Sequence, residues 1–422
     1  MPNTAERVAP HTGKFEFKLF VAAGHLDGNL PDKSPAGIEK LTTHEVPTIP
    51  QEQLDEYKPE NLQFRQAGFF NPSEVLGILR RALHIRVGTV DIGGDKIATD
   101  IREYGKDDKF SVVVTKEPKK SKEGADYVAH AEEAAGMFRE NGVKAIGTSF
   151  AGPIEGTKPI VATNIPILQK ELDEKYQGDL ANIFISSGDE VVAGDNDAIS
   201  GLMAATIEAY RKNPKLKRVI YLIHGGGLGG AVWEDGQMIA AEPGHVPVIA
   251  EMNPFEIDEP CGQKTSPNKD KTCVEKVGSS GQGVEKTFEK ITSKKLSGIE
   301  ISKIHQNSNG EYSEEESKLA TAIYDTAARI VATGALGLDQ ARGSVEDDAK
   351  RLDPETTAVV IHGGLMKTPG VPERVEQILE KHLGYKPNLL YTKDFSDNAC
   401  SDGAAIRALM AMNDRKASSP SN

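Results

Sequence analysis

Arg218-Val-Ile-Tyr-Leu-Ile-His224, Gly225-Gly-Gly-Leu-Gly-Gly230, Ala231-Val-Trp-Glu-Asp-Gly236 reads as a strand, a glycine-rich bend and a second strand. Gly225, Gly227 and Gly230 have the G-x-G-x-x-G spacing that follows the first strand of dinucleotide-binding folds. That fingerprint requires a helix to begin at the loop, with its N-terminus facing a pyrophosphate. Here Ala231-Val-Trp-Glu-Asp-Gly-Gln-Met-Ile alternates around an Asp-Gly turn, which is the pattern of a hairpin. The dinucleotide reading is rejected. The same design stands about 130 residues earlier, as Arg86-Val-Gly-Thr-Val-Asp91, Ile92-Gly93-Gly94-Asp95 and Lys96-Ile-Ala-Thr-Asp-Ile101. Two copies of one supersecondary unit predict a duplicated architecture.

Between the copies lie an amphipathic helix (Val128, Ala131, Ala135, Phe138, closed by Gly142), a buried strand over 143–150 and the Gly152-Pro153 turn. After the second copy come helical stretches, a polar insertion near 306–316, an Ala-rich helix over 318–338, and a strand, Thr357-Ala-Val-Val-Ile361, running into His362-Gly363-Gly364. A helix from Asp402 closes the chain. This is α/β alternation. The first 85 residues differ: Pro31, Pro35, Pro47, Pro50 and Pro59 interrupt polar, aperiodic sequence, so 1–68 reads as mostly loop or appendage. A short helix is predicted at Asn71-Pro72-Ser73, where capping chemistry precedes Val75, Leu76, Ile78, Leu79 and Leu83.

The 422 residues carry 50 Lys+Arg against 63 Asp+Glu, a net charge of −13 that disfavours coating a phosphate backbone. Hydrophobic residues make up 38% and charged ones 27%, which suits a globular chain with a core split over two or more domains. No stretch approaches the ~18 apolar residues of a spanning helix, and the start lacks the basic-then-apolar pattern of a signal peptide, so a cytoplasmic protein is expected. Cys261, Cys273 and Cys400 are too few for a disulfide framework and enough for part of one metal site.

Several residues carry candidate chemistry. Glycine bends between antiparallel strands either simply turn the chain or bind phosphate through consecutive backbone N–H groups. Asp91 either initiates a turn or holds Mg²⁺ against nucleotide phosphates. Asn196-Asp197 precedes a helix with an apolar stripe of Ile199, Leu202, Met203 and Ile207. The pair reads as a helix cap, or Asp197 reads as a general base taking a hydroxyl proton during attack on a γ-phosphate. Glu242-Pro-Gly-His245 and Cys273-Val-Glu275 are further polar clusters, each uninformative alone.

Taken in order, these residues resemble the ROK family, the repressors, open reading frames and sugar kinases built on the actin-like ATPase fold. The resemblance rests on Asp91-Ile-Gly-Gly-Asp-Lys96, Gly152-Pro153, Asn196-Asp197, Gly225-Gly-Gly-Leu-Gly-Gly230, Glu242-Pro-Gly-His245, Cys261-Gly262, Cys273-Val-Glu275 and Gly363-Gly364, over about residues 86–414. It implies a two-domain α/β actin-like (ribonuclease H-like) fold: an extension over 1–85, one lobe over 86–199 completed by a helix at about 400–414, and a second lobe over 200–399. It implies ATP-dependent phosphorylation of a hexose or N-acylhexosamine, most often at O6, with Asp197 as base. Asn164, Asn196, Glu242, His245 and Glu275 would contact the sugar, and Asp91, Gly93, Gly94, Lys96, Gly225, Gly226, Gly227, Gly363 and Gly364 would hold ATP with Mg²⁺. Expected partners are thus a small-molecule sugar and ATP, with no nucleic acid and no membrane; a homodimer stays open.

Three departures qualify the resemblance. Asp95 stands where the family's first loop has Thr, and Gly226 where its second has Thr, which favours a sugar sensor with weak phosphoryl transfer as the rival reading. The family's zinc site uses one His and three Cys. Here His245, Cys261 and Cys273 remain and Glu259 occupies the first Cys position, so the implied structural Zn²⁺ would use His245, Cys261, Cys273 and Glu259. Against retention, Lys264, Lys269 and Lys271 crowd the run between the cysteines.

Overall fold

The computed structural model describes residues 46–418 apart from 94–95, 121–126, 161–165, 264–265, 279, 308–309 and 343–350. Helices α1 (Gln51–Leu54) and α2 (Pro59–Leu62) precede strand β1 (Arg65–Phe69) and α3 (Pro72–Arg81). Then come β2 (Arg86–Ile92), β3 (Lys96–Tyr104), β4 (Phe110–Lys120), α4 (Tyr127–Glu140), β5 (Ala145–Phe150), the two-residue strands β6 (Ile154–Glu155) and β7 (Lys158–Pro159), α5 (Pro166–Tyr176), α6 (Ala181–Phe184), β8 (Val191–Asn196) and α7 (Asp197–Lys212). The second half runs β9 (Arg218–His224), β10 (Leu228–Glu234), β11 (Gln237–Ala241), α8 (Gly281–Thr292), α9 (Gly298–Gln306), α10 (Glu314–Ala341), β12 (Thr357–Gly363), α11 (Val371–Leu383), β13 (Leu389–Tyr391) and α12 (Ala399–Ser418).

The duplication is visible in the sheets. One sheet has the order β4-β3-β2-β5-β8, an antiparallel meander followed by parallel strands. The other has the order β1-β11-β10-β9-β12-β13, the same arrangement with β1 added at the edge. The glycine-rich run is a hairpin bend, with Leu228 paired to His224, and the next turn is as tight as its Asp-Gly suggests: Glu234 pairs with Gln237 across Asp235 (φ 45°) and Gly236 (φ 91°). Positive φ at both central residues matches the right-handed twist of the flanking strands.

Strand β9 shows how the layers stack. Val219 and Tyr221 face a core shared with Leu202 and Met203 of α7 and Ile406 and Leu409 of α12. Ile220 and Leu222 point the other way, into a core with Ile323, Val331 and Leu338 of α10 and Val375 and Ile378 of α11. Because side chains alternate along a strand, both faces of this one are buried. The far face of the five-stranded sheet is closed by Val128, Ala131 and Phe138 of α4 over Val90, Ile92 and Ile146. Helices α7 and α12 cross closely, since a Cβ at Gly403 would stand 1.6 Å from the Ser200 carbonyl oxygen, and α12 presses on β5, where a Cβ at Gly147 would meet the Ala404 oxygen at 2.0 Å.

Asn71 caps α3 as expected, accepting from the Ser73 and Glu74 amides at 3.1 and 3.4 Å. The loop reading of 1–68 is corrected for residues 46–68, whose stretch 65–69 forms strand β1; the remainder of 1–68 lies outside the described residues. Its pattern escapes notice because only alternate residues of an edge strand are half-buried, so RQAGF lacks an apolar period. Among the described residues, no helix is long and apolar enough to cross a membrane.

Candidate active site

Asp91 lies near the end of β2, where its carboxylate accepts from Asn398 Nδ2 at 3.2 Å. Burial raises its pKa, against hydrogen bonds from Ser149 and Asn398 that favour the charged form. The bend after β2 closes through Gly93 N–H to the Lys96 carbonyl, 2.9 Å, and Lys96 is exposed at the start of β3. Gly94 and Asp95 lie outside the described residues, as does Asn164.

Asn196 is the N-cap of α7: its Oδ1 accepts from the Ala198 amide at 3.0 Å, and its Nδ2 donates to the Gly152 carbonyl at 3.1 Å. The cap ties the helix start to the turn after β5. Asp197, the first helical residue, also accepts from the Ala198 amide, 2.8 Å. Its pKa is raised to about 7, first by burial and then by the negative charges of Asp91 and Glu242. A carboxyl group poised near neutrality is suited to taking a proton and passing it on.

Glu242 ends the strand pairing of β11, and the next residues form a 3₁₀ turn, Pro243–His245, that brings His245 back toward it. His245 Nε2 lies 3.9 Å from Glu242 Oε2, and its Nδ1 lies 3.6 Å from Glu275 Oε1 and 3.3 Å from Cys261 Sγ. Burial opposes charge on this imidazole, but Cys261, Glu275 and Glu242 outweigh it and raise the pKa to about 9. Glu275 and Glu242 are both raised by burial. The Glu275 carboxylate lies 3.0 Å from where a Cβ at Gly227 would stand, so the second glycine bend passes close against the His245 cluster.

That bend is closed by the Gly225 amide on the Gly227 carbonyl, 3.0 Å, and held to α8 by the Gly281 amide on the Gly225 carbonyl, 2.9 Å; Gly226 is exposed. Gly363 has φ 122° and would place a Cβ 1.8 Å from the His224 carbonyl oxygen, so only glycine lets β12 end so close to the bend. Gly364, exposed, begins a 3₁₀ turn that buries Leu365 and Met366 and ends at exposed Lys367. His362 is held down to about 4, first by burial and then by the charges of Lys367 and Lys96.

His245, Cys261, Cys273 and Glu275 bring one ligand atom each to within 4.8 Å of one another. Two sulfurs, an imidazole nitrogen and a carboxylate oxygen, all at least half-buried, fit the donor set of a tetrahedral Zn²⁺. The expected fourth ligand is corrected: Glu259 lies outside the cluster, with its carboxylate paired to Lys276 at 3.3 Å and Lys286 at 2.9 Å. Two lysines hold this exposed carboxylate on the surface, and Glu275 stands next to the histidine in its stead. All three cysteines are free. Sequence reasoning missed Asn398 and Ser149, the partners of Asp91. Asn398 carries a cap signature before α12, accepting from the Ser401 amide at 3.3 Å, but no motif links it to β2, 307 residues away.

A duplicated α/β core with glycine bends at matching strand ends and acidic groups between them defines a protein of the actin-like ATPase superfamily. The family model for ROK family matches residues 87–411, and the chain belongs to this family. Among solved structures it is similar to a ROK hexokinase from Thermus thermophilus, 23% identical over 78% of this chain and 100% of that one, TM-score 0.51. A ROK family glucokinase from Streptomyces griseus, solved with glucose and AMPPNP, is 18% identical over 76% of this chain and 98% of that one, TM-score 0.51. A ROK family protein from Streptococcus pneumoniae TIGR4, solved with sucrose, is 15% identical over 78% and 100%, TM-score 0.51. No curated protein sequence matches the chain significantly.

Proposed function

We propose that the chain is an ATP-dependent sugar kinase that phosphorylates a hexose or N-acylhexosamine at O6. The observation that carries this reading is Asp197: a carboxyl group at a helix start, raised to about 7 by burial and by Asp91 and Glu242. It is available to take the hydroxyl proton as the sugar oxygen attacks the γ-phosphorus and the bond to ADP breaks. Asn196, Glu242, His245 and Glu275 supply the dense set of donors and acceptors that a hydroxyl-rich ligand requires, and Asn164 joins them by resemblance alone.

ATP would lie along the glycine bends at Gly93, Gly94 and Lys96 and at Gly225, Gly226 and Gly227, with Gly363 and Gly364 on the adenosine side. Asp91 suits a divalent cation: it is a half-buried carboxylate at the strand end beside the first glycine bend, held by hydrogen bonds from Ser149 and Asn398. Mg²⁺ bound there would neutralise phosphate charge. Zn²⁺ on His245, Cys261, Cys273 and Glu275 would fix the orientation of the imidazole that faces Glu242. The test is ADP release, measured against a panel of hexoses and N-acylhexosamines. Turnover on one of them supports the kinase. Saturable sugar binding without ADP release on any of them supports instead the sensor that Asp95 and Gly226 favour.

A further inference from the structure

The loops around His245 are held from a direction that the family match does not include. That match begins at residue 87, whereas residues 46–62 run across the outer face of the six-stranded half before the chain enters β1. Lys381 of α11 donates to the Val46 carbonyl, and Arg329 of α10 donates to the Thr48 carbonyl at 2.7 Å. Tyr57 lies flat on α10 where Gly337 leaves room: a Cβ there would stand 2.2 Å from the Tyr57 ring. The segment is therefore fixed on the rigid helical layer before it reaches the loops.

Three of its residues then make four hydrogen bonds with them. Gln53, fully buried, donates from Nε2 to the Pro247 carbonyl at 2.8 Å and accepts at Oε1 from the Ile249 amide at 2.9 Å. Asn61 accepts from Asn268 Nδ2 at 2.9 Å, both residues being buried. The Leu62 carbonyl accepts from the Glu242 amide at 2.9 Å.

Each contact is one step from the cluster. Residues 246–248 pair with 272–274 through Val248 N–H to Thr272 O, 3.1 Å, and Val274 N–H to Val246 O, 3.0 Å, so Gln53 holds the backbone that carries both His245 and Cys273. Asn268 lies in the insertion between the cysteines, whose Lys271 carbonyl accepts from the Cys261 amide at 2.8 Å. Thus the lengthened, lysine-rich insertion has a docking partner in the chain itself.

We propose that residues 46–62 are a positioning strap for the loops over 242–275, with Gln53 and Asn61 as its positioning residues, and that the loops keep their arrangement through this strap without a bound metal ion. Its consequence for sugar affinity rests on the kinase reading; the ordering of the loops does not.

Hydrogen exchange on the full-length protein, with and without EDTA, separates the two. Wild-type protection at 244–250 and 261–275 should survive EDTA. Asn61→Ala should exchange roughly 10-fold faster in those segments, the equivalent of one buried hydrogen bond, and Gln53→Ala, which loses two, faster still, with α10 unchanged. Adding Asn268→Ala to Asn61→Ala should be no worse than Asn61→Ala alone, because the contact between the two is then already lost; Asn61 also donates to the Glu56 carbonyl at 2.8 Å, so Asn268→Ala is the milder single variant. In turnover, the strap variants should raise the sugar KM several-fold and leave kcat and the ATP KM within about twofold. Loss of wild-type protection on adding EDTA, or unaltered exchange in a folded Gln53→Ala protein, overturns the proposal. If the wild type turns over no sugar, the kinase reading fails and the exchange arm still decides the strap. Should Gln53→Ala not fold, the Asn61→Ala and Asn268→Ala comparison decides it.

Discussion

Asp197→Asn should separate catalysis from stability in opposite directions. The amide keeps an oxygen to accept from the Ala198 amide, which reaches Asp197 at 2.8 Å, so the helix start is preserved. It cannot accept the sugar's proton, and kcat should fall roughly 10²–10⁴-fold. Stability should rise. The folded protein holds this carboxyl at about 7 against an ordinary 3.8, so ionising it in place is costly. At 1.36 kcal/mol per pH unit the ceiling is roughly 4 kcal/mol, and partial access of solvent to the side chain brings the expected gain to about 1–3 kcal/mol.

The sign fixes the pH window. Between 3.8 and about 7 the folded state binds the extra proton, so the wild type loses stability as pH rises through that interval and loses no more above it. The uncharged variant has no such loss. The two proteins should therefore melt together near pH 4 and diverge up to pH 8. With an unfolding entropy of ~2.1 cal/mol/K per residue, 1 kcal/mol moves the melting temperature of a chain this long by only about 1 °C, so the gap at pH 8 should be about 1–4 °C. Thermal melts at pH 4, 6 and 8, run beside ADP release, would read both effects. Activity of the wild type should fall tenfold per unit below pH 7. A variant that keeps more than about half the rate, or a melting gap independent of pH, would refute Asp197 as a buried base and leave it as a capping residue.

Two further outcomes follow from the packing and the metal cluster. Gly147→Ala should lower the melting temperature, because its Cβ would meet the Ala404 carbonyl at 2.0 Å with backbone on both sides, an overpacking worth about 1–3 kcal/mol or more; Gly136→Ala, with nothing within 4 Å inside α4, should instead stabilise by about 0.5–1 kcal/mol. Elemental analysis after growth in zinc should find the same metal content in Glu259→Ala as in the wild type and a loss in Cys273→Ala. Loss of metal in Glu259→Ala would return that carboxylate to the ligand set, while the surface pairs it forms with Lys276 and Lys286 contribute at most about 1 kcal/mol.

The hairpins and the duplication were legible because glycine bends and strand alternation are local. Asp235-Gly236 prescribes its own turn, and β9 alternates between two cores just as its residues alternate along the strand. The cap at Asn196 was legible for the same reason. What the sequence left hidden depends on partners far along the chain. Strand β1 exists because β11 offers it an edge, with Arg65 opposite Ala240, and nothing within RQAGF announces that. Glu259 occupies a ligand's place in the motif, yet lysines 17 and 27 residues downstream decide where its carboxylate goes. Gln53 has no local use at all; its two hydrogen bonds span about 195 residues.

Helix α12 sets the order in which the five-stranded sheet is closed. Residues 399–418 press into that sheet at Gly147 and cross α7 at Gly403, so strands made early are covered by a segment made much later. During synthesis the face of β5 at Gly147 waits bare until residues 399–418 have left the ribosome, and only then is it covered. Such late, long-range closure slows folding and prolongs the exposure of apolar surface. A nascent chain stalled before residue 399 should therefore be a client for chaperones, while one stalled just after α12 should not.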